Sequence, residues 1–329
     1  MSERIVTHDR LVGVASRLLP PATYESVREI YHHMRHAHER ANSVYARLVD
    51  LSTGRMELLS LMSAVTRLFL SLARTSESGR KDVTLRLGGG VYVVDLSLME
   101  AETLAELYVD RHHDRIDRFI PQEGWNVVDI GANVGMYAVM QSKRGAKVYA
   151  FEANPECYGR LLKTVRANRL RTRVAAWNQA IGGAPGWGVV TAPYGGRGTP
   201  AGFVTALEGP SEDTNAVSVK PLDSIEELRG IERIHLLKVD VEGAEVEVLR
   251  GARLILTRVE RIVIEYHSPT LDEQVTQLLT GSGFSTVTRV DVLPEQHVGL
   301  IYAERSVGER TTLNQSQSDV GPEGAQQPA

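Results

Sequence analysis

One cysteine stands among 329 residues, Cys157, so no intrachain disulfide can form and cysteine-rich zinc modules are excluded. A reducing compartment is the expectation. Long hydrophobic runs are missing too: the longest, residues 58–73 (LLSLMSAVTRLFLSLA), is shorter than the roughly 20 residues of a membrane span and holds Arg67 inside it. That run predicts a buried or partner-facing helix. Neither sign of charge dominates, because 37 Lys and Arg face 41 Asp and Glu for a formal charge of −4, which gives no general attraction to nucleic acid or anionic membrane. The opening MSERIVTHDR lacks the unbroken apolar core of a secretory signal, so a cytoplasmic location is expected.

What is present is ordinary globular composition, 42% hydrophobic and 24% charged, long enough for two domains or for one large α/β unit with an appendage. Val27, Ile30, Met34, Ala37, Ala41, Val44 and Leu48 recur every three or four residues, the stripe of an amphipathic helix. With a second helix over about 56–73 and a turn at Gly54, residues 1–78 are expected to form a helical hairpin, a candidate surface for homo-oligomers. TSESGRKD then reads as a linker, and 83–87 and 91–96 as a β-hairpin turned by Gly88 to Gly90. A helix is expected over 102–119. From Asn126 onward, short apolar runs (NVVDI, KVYAFE, RVAAW, HLLKVD, RIVIEYH, STVTRVDV, HVGLIYAE) alternate with helical stretches until the last two, which pair directly. This predicts an α/β fold, a mostly parallel sheet with helices on both faces and an antiparallel edge hairpin. The polar tail from Ser306, residues 306–329, is expected to be disordered.

The strongest local signal is VVDIGANVGMYA, a buried strand, a glycine turn and a helix start. Gly131 and Gly135 allow a tight turn and a close backbone approach to a ligand. Doubly wound sheets bind nucleotides at this edge, and the next strand ends at Glu152, 21 residues after Gly131, where an acid can accept from ribose hydroxyls. A dinucleotide fingerprint needs a second glycine where Asn133 stands and a third at Met136. Asp129 beside the loop would repel a diphosphate and suits the ammonium group of a methionine moiety. The loop therefore favours S-adenosylmethionine over NAD. Asn178, at the end of the third run, is a candidate for the adenine edge or an ordinary turn former ahead of Gly182 and Gly183.

VVDIGANVG, FEANP, NQAIGG, VKPLDSI and LLKVDVEGAEVEVLRGA, in this order and spacing, resemble the FkbM-like family of S-adenosylmethionine-dependent methyltransferases. The resemblance runs from about Val83 to Glu304, so the expected methyltransferase domain covers 79–305. It implies a Rossmann-like class I methyltransferase fold with a seven-stranded sheet, and O-methylation of a hydroxyl on a sugar or polyketide-type natural product. Ala153 in FEANP departs from the proline common there. Net charge and the lack of an NPPY-like motif speak against nucleic acid as acceptor. Two other readings stay open on the sequence: an NAD(P)-linked oxidoreductase on the same sheet, and a non-catalytic interaction protein with a methyltransferase-like core.

Lys238, Asp240 and Glu242 end one strand, and Glu265 and His267 end the next. Methyl transfer is an in-line displacement that needs the acceptor oxygen aligned and deprotonated. His267 is the expected general base, with Asp240 or Glu242 orienting it. The alternative is a divalent metal such as Mg²⁺ held by some of Asp240, Glu242 and His267. Glu245 and Glu247 are read as acids complementing the dipole of the next helix. Residues 182–202, with eight glycines and three prolines, are expected to be a long loop covering the substrate. His32 and His36 are taken as a solvated face and Cys157 as core.

Overall fold

The structure, a computed structural model, describes residues 82–94, 103, 106–191, 203–207, 209, 216–294 and 297–305. The expected helical hairpin over 1–78, its role in oligomers and the tail from 306 lie outside the described residues. No helix among those described is long and apolar enough to cross a membrane.

An antiparallel hairpin opens the described chain, β1 (Val83–Leu87) and β2 (Gly90–Val94), turned at Gly88 and Gly89 as the glycine run predicts. All seven apolar runs that follow form strands of one sheet. In chain order these include β3 (Asn126–Ile130), α1 (Met136–Lys143), β4 (Lys147–Glu152), α2 (Pro155–Ala167) and β5 (Val174–Asn178). A smaller sheet then intervenes, with β6 (Ala180–Ile181), β7 (Gly186–Thr191), β8 (Phe203–Leu207) and β9 (Ala216–Lys220). After it come α3 (Glu226–Arg229), β10 (Leu236–Val239), α4 (Glu245–Arg250), α5 (Arg253–Leu256), β11 (Arg261–Tyr266), α6 (Pro269–Gly281), β12 (Phe284–Leu293) and β13 (Val298–Arg305).

The large sheet has the order β12-β13-β11-β10-β3-β4-β5, parallel except for β13, which runs against both of its neighbours. Chain order grows outward from β3 to β5 on one side and restarts at β10 on the other. The switch point therefore lies between β3 and β10, where ligands of open α/β sheets bind beyond the carboxyl ends. Both faces are buried, which is why the strands read as near-continuous apolar runs. Val127, Val148, Leu236, Val263 and Tyr302 pack under α1, α2 and the β1–β2 hairpin. Val128, Phe151, Leu237, Ile264 and Ile301 pack under α4, α5 and α6. Cys157 is fully buried, as expected.

One expectation fails, and another meets a strand in part of its range. The helix over 102–119 is broken into short turns, Glu106–Asp110, His112–Asp114 and Asp117–Phe119, with Arg111 in the left-handed region at φ 52°. Tertiary bonds hold the segment flat on the sheet: Asp114 takes a two-pronged ion pair from Arg144 (2.9 and 2.5 Å), and the Tyr302 hydroxyl donates to the His112 carbonyl. Of the expected long loop over 182–202, residues 186–191 form β7, which pairs antiparallel with both β8 and β9, while 192–202 lie outside the described residues. Glycines and prolines masked the strand pattern there.

Gly230 and Gly251 close α3 and α4 with nearly the same backbone, φ −79° and −84°. Their surroundings differ. A Cβ on Gly251 would enter the Gly182 carbonyl oxygen, and the Pro221 Cα would sit 3.1 Å away, whereas nothing lies within 4 Å at Gly230. Gly251→Ala is expected to cost about 1–3 kcal/mol by overpacking, and Gly230→Ala to be neutral or to stabilise by up to about 1 kcal/mol. Equal effects of the two in urea unfolding would contradict this packing.

Candidate functional site at the strand ends

Strand alternation sends Asp129 of β3, Lys238 of β10, Glu152 of β4 and Glu265 of β11 to the same face, the one under α1. Deeper in the strands that face is apolar. At the carboxyl ends it turns polar.

Lys238 holds the centre. Its Nζ lies 3.3 Å from Asp129, 3.2 Å from Asp240 and 3.0 Å from the Gly131 carbonyl, and 5.7 Å over the Tyr137 ring. Burial opposes its charge, yet the Asp240 and Asp129 carboxylates hold the ammonium well above the usual lysine range. Asp129 is fully buried, and burial pushes its carboxyl up in spite of Lys238. For Asp240 burial also works upward, but Lys238, His267 and His113 outweigh it and hold the carboxyl below its ordinary range.

The glycine loop differs in one respect from what the sequence suggests. Gly131 (φ 80°) leaves no room for a Cβ because the Asp240 carbonyl oxygen crosses it, and Gly135 (φ 83°) faces Leu161 of α2 at 3.1 Å. Both glycines admit neighbouring parts of this chain. Asn133 sits between them at φ 52°, its Oδ1 accepting from the Val134 N–H at 2.8 Å.

Glu152 ties this loop to the next one. One carboxylate oxygen accepts from the Asn133 N–H and the other from the Asn154 N–H, each at 2.7 Å. Burial dominates, and pushes the carboxyl up to about 7 against those two bonds. Asn178 donates from Nδ2 to the Glu152 and Ala153 carbonyls, both at 2.9 Å, so its amide hydrogens brace the turn after β4 and only its Oδ1 is left for a ligand.

Asp240, Glu242 and His267, the three expected catalytic residues, do come together: ligand atoms of all three lie within 4.8 Å of one another. Three acids surround His267. Its Nδ1 is 2.8 Å from Glu245 Oε1, and its Nε2 is 3.3 Å from Glu242 and 3.8 Å from Glu265. Burial works against protonation, but the Glu245 hydrogen bond, then Glu242, Asp240 and Glu265, push the imidazole up to about 10. With Nδ1–H donated to Glu245, His267 can take up a proton or a cation only at Nε2, once that nitrogen has given up its own proton.

Glu245 was expected only to complement a helix dipole. It is fully buried instead, its Oε1 also accepting from the Gly243 N–H at 2.9 Å. The left-handed turn at Glu242 (φ 54°) and Gly243 (φ 105°) folds it inward. Glu247 behaves as read, half-exposed beside Arg250. Sequence reasoning also passed over His113, buried and 5.4 Å from the Tyr137 ring, with neither ring nitrogen hydrogen-bonded. Burial, then Lys238, bring its imidazole down to about 4. Nothing periodic marks it, since it lies in the broken stretch read as helix.

Comparison with known proteins gives this geometry its context. The family model "Methyltransferase FkbM domain" matches residues 129–287. The chain is 31% identical over 244 residues to the 31-O-demethyl-FK506 methyltransferase FkbM of Streptomyces tacrolimicus, covering 64% of this chain and 92% of that protein. It belongs to the FkbM methyltransferase family. The hexuronic acid methyltransferase AglP of Haloferax volcanii is 30% identical over 161 residues, 48% of this chain and 62% of the relative's length. Among solved structures, M. jannaschii TYW2 in complex with AdoMet overlays with a TM-score of 0.38 at 14% identity, over 71% of this chain and 90% of that one.

The Glu152 carboxyl, raised above its unfolded value of 4.5, favours its protonated form in the fold. The stability it contributes is present below pH 4.5 and is lost as pH rises to about 7. Relative to Glu152→Gln, the protein without ligand is therefore expected to lose about 3 kcal/mol across that window. Thermal unfolding of both proteins at several pH values measures it, and a gap that stays constant with pH would remove the titration from Glu152.

Proposed function

We propose that this chain transfers a methyl group from S-adenosylmethionine to a hydroxyl of a small molecule, a sugar or a polyketide-type product. The observation that carries the reading is the loop after β3, bound through the Asn133 N–H to the acid at the end of β4, at the switch point of a methyltransferase-family sheet. The relatives' names support a small-molecule acceptor, since one names a hexuronic acid and the other demethyl-FK506.

The residues present fit the cofactor's chemistry. Glu152 would meet the ribose hydroxyls, and Asp129, fully buried and paired with Lys238, would act on the ligand only through the loop above it. Lys238 is held by two carboxylates and a carbonyl, so it does not offer a diphosphate a free cation. Asn133 takes the place where a dinucleotide loop needs glycine. Together these features support S-adenosylmethionine over NAD(P). When bound, the cofactor supplies an electrophilic methyl on sulfur.

The chain's own part is to orient the acceptor and take its proton. Asp240, Glu242 and Glu265 bring carboxylate oxygens to the ends of β10 and β11, where they can accept hydrogen bonds from a polyhydroxylated acceptor and receive the proton released. Side-chain exposures of 28% for Asp240 and 32% for Glu242 leave them within reach of a ligand.

Calorimetric titration with S-adenosylhomocysteine, NAD and NADP tests the cofactor. Micromolar binding of the first alone is expected, weakened about tenfold or more by Glu152→Ala, which removes the hydrogen-bonding carboxyl at the end of β4. Binding of NAD in its place would return the oxidoreductase reading. No binding of any of the three would leave a methyltransferase-like core without its activity.

A further inference from the structure

We propose that Asp240, Glu242 and His267 hold a single divalent cation of the Mg²⁺ or Mn²⁺ class at the acceptor side of the site. The cation-binding claim stands on this cluster alone, and its use in handling the acceptor rests on the methyl-transfer reading above.

Geometry is the first ground. One oxygen from each carboxylate and a ring nitrogen of His267 lie within 4.8 Å of one another. Ligands on opposite sides of a hard cation at about 2.1–2.4 Å stand about 4.2–4.8 Å apart, so one ion reaches all three with small side-chain adjustments. Two of the ligands are anchored at the ends of adjacent parallel strands, Asp240 directly after β10 and His267 directly after β11.

The second ground lies behind His267, outside the ligand cluster. Glu245 has no exposure, and its Oε1 faces His267 Nδ1 at 2.8 Å, while its Oε2 has no hydrogen-bond partner among the described residues. A carboxylate buried in that way needs a cation close by. With Nδ1–H donating to Glu245, the remaining nitrogen, Nε2, points to Glu242 and Glu265 with its lone pair open to a metal. Metal-binding histidines show this carboxylate–imidazole–metal relay, in which the rear carboxylate fixes both tautomer and ring angle. Glu245 is then a positioning residue.

Charge and access agree. Around the cluster stand Asp240, Glu242, Glu265 and Glu245, and the neighbouring ammonium, Lys238, is shared between Asp240 and Asp129. The three ligands keep side-chain exposures of 28, 32 and 17%, so water and acceptor can reach the ion. Two carboxylates with one imidazole suit a hard or borderline ion. Octahedral coordination leaves three positions, enough for two neighbouring oxygens of one acceptor, such as vicinal hydroxyls or a hydroxyl beside a carboxylate, plus one water.

The test uses the full chain, stripped with chelator and titrated with Mn²⁺ alone, by calorimetry and by the loss of the free Mn²⁺ electron paramagnetic resonance signal. One ion per chain is expected. Glu242→Gln, whose side chain lies at the rim, should weaken it tenfold or more, and Glu245→Gln, which never touches the ion, by about 10–100-fold. Glu247→Gln, on the exposed side of the same helix, should leave it unchanged. If Glu245→Gln fails to fold, Glu242→Gln and Asp240→Asn still decide the matter, with S-adenosylhomocysteine binding reporting an intact fold. A wild-type chain that binds S-adenosylhomocysteine but no Mn²⁺ up to millimolar concentration would overturn the cation site and leave methyl transfer standing. Mn²⁺ binding untouched by Asp240→Asn and Glu242→Gln would overturn it as well.

Discussion

The contact on which the rest of the site depends is the buried ammonium of Lys238 between Asp129 and Asp240. It joins the ends of β3 and β10, the two strands that flank the switch point, and its third bond goes to the carbonyl of Gly131. Removing one partner from a buried pair leaves an uncompensated charge, which costs more than the pair contributes. That asymmetry makes all three groups interdependent. With Lys238 as an apolar residue, Asp129 would be a fully buried carboxylate without a cation.

This contact also explains the glycine at 131. The strand ends are drawn so close that the Asp240 carbonyl passes where a Cβ would stand, and the backbone is left-handed there besides. Glycine meets both demands at once. A glycine loop of this kind is commonly read as room for a ligand, but here the room is already filled by the neighbouring strand. Ligand specificity must come from side chains and from the orientation of the loop, and Glu152 sets that orientation by accepting from both loops.

How much of this is legible in the sequence follows from burial and range. The seven strands are legible because a parallel sheet covered on both faces writes itself as apolar runs such as NVVDI and RIVIEYH. The stretch 102–119 misleads because its local spacing suits a helix while long-range bonds from Arg144 and Tyr302 pull it into short turns. Asp240, Glu242 and His267 could be grouped from their places at adjacent strand ends. The state of His267 could not, since it depends on Glu245, 22 positions away and turned inward by a left-handed Glu242. The spacing of Glu245 at a helix start suits a dipole-complementing acid equally well, and only the backbone conformation separates the two cases.

That left-handed Glu242 links fold to function. A non-glycine residue in this region costs about 1–2 kcal/mol, and the cost persists where the surroundings require the conformation. Here the turn does two things together: it brings the Glu242 carboxylate to His267 from the open side, and it sends Glu245 to His267 from beneath. An extended backbone at 242 would separate these two approaches and leave one imidazole face without an acid. The local strain is thus tied to an imidazole gripped by carboxylates front and back, at the ends of the strands where the acceptor would be oriented. Asp240 meets Lys238 on one side and shares a cluster with Glu242 and His267 on the other, so the acidic rim and the buried cation at the switch point form one continuous network.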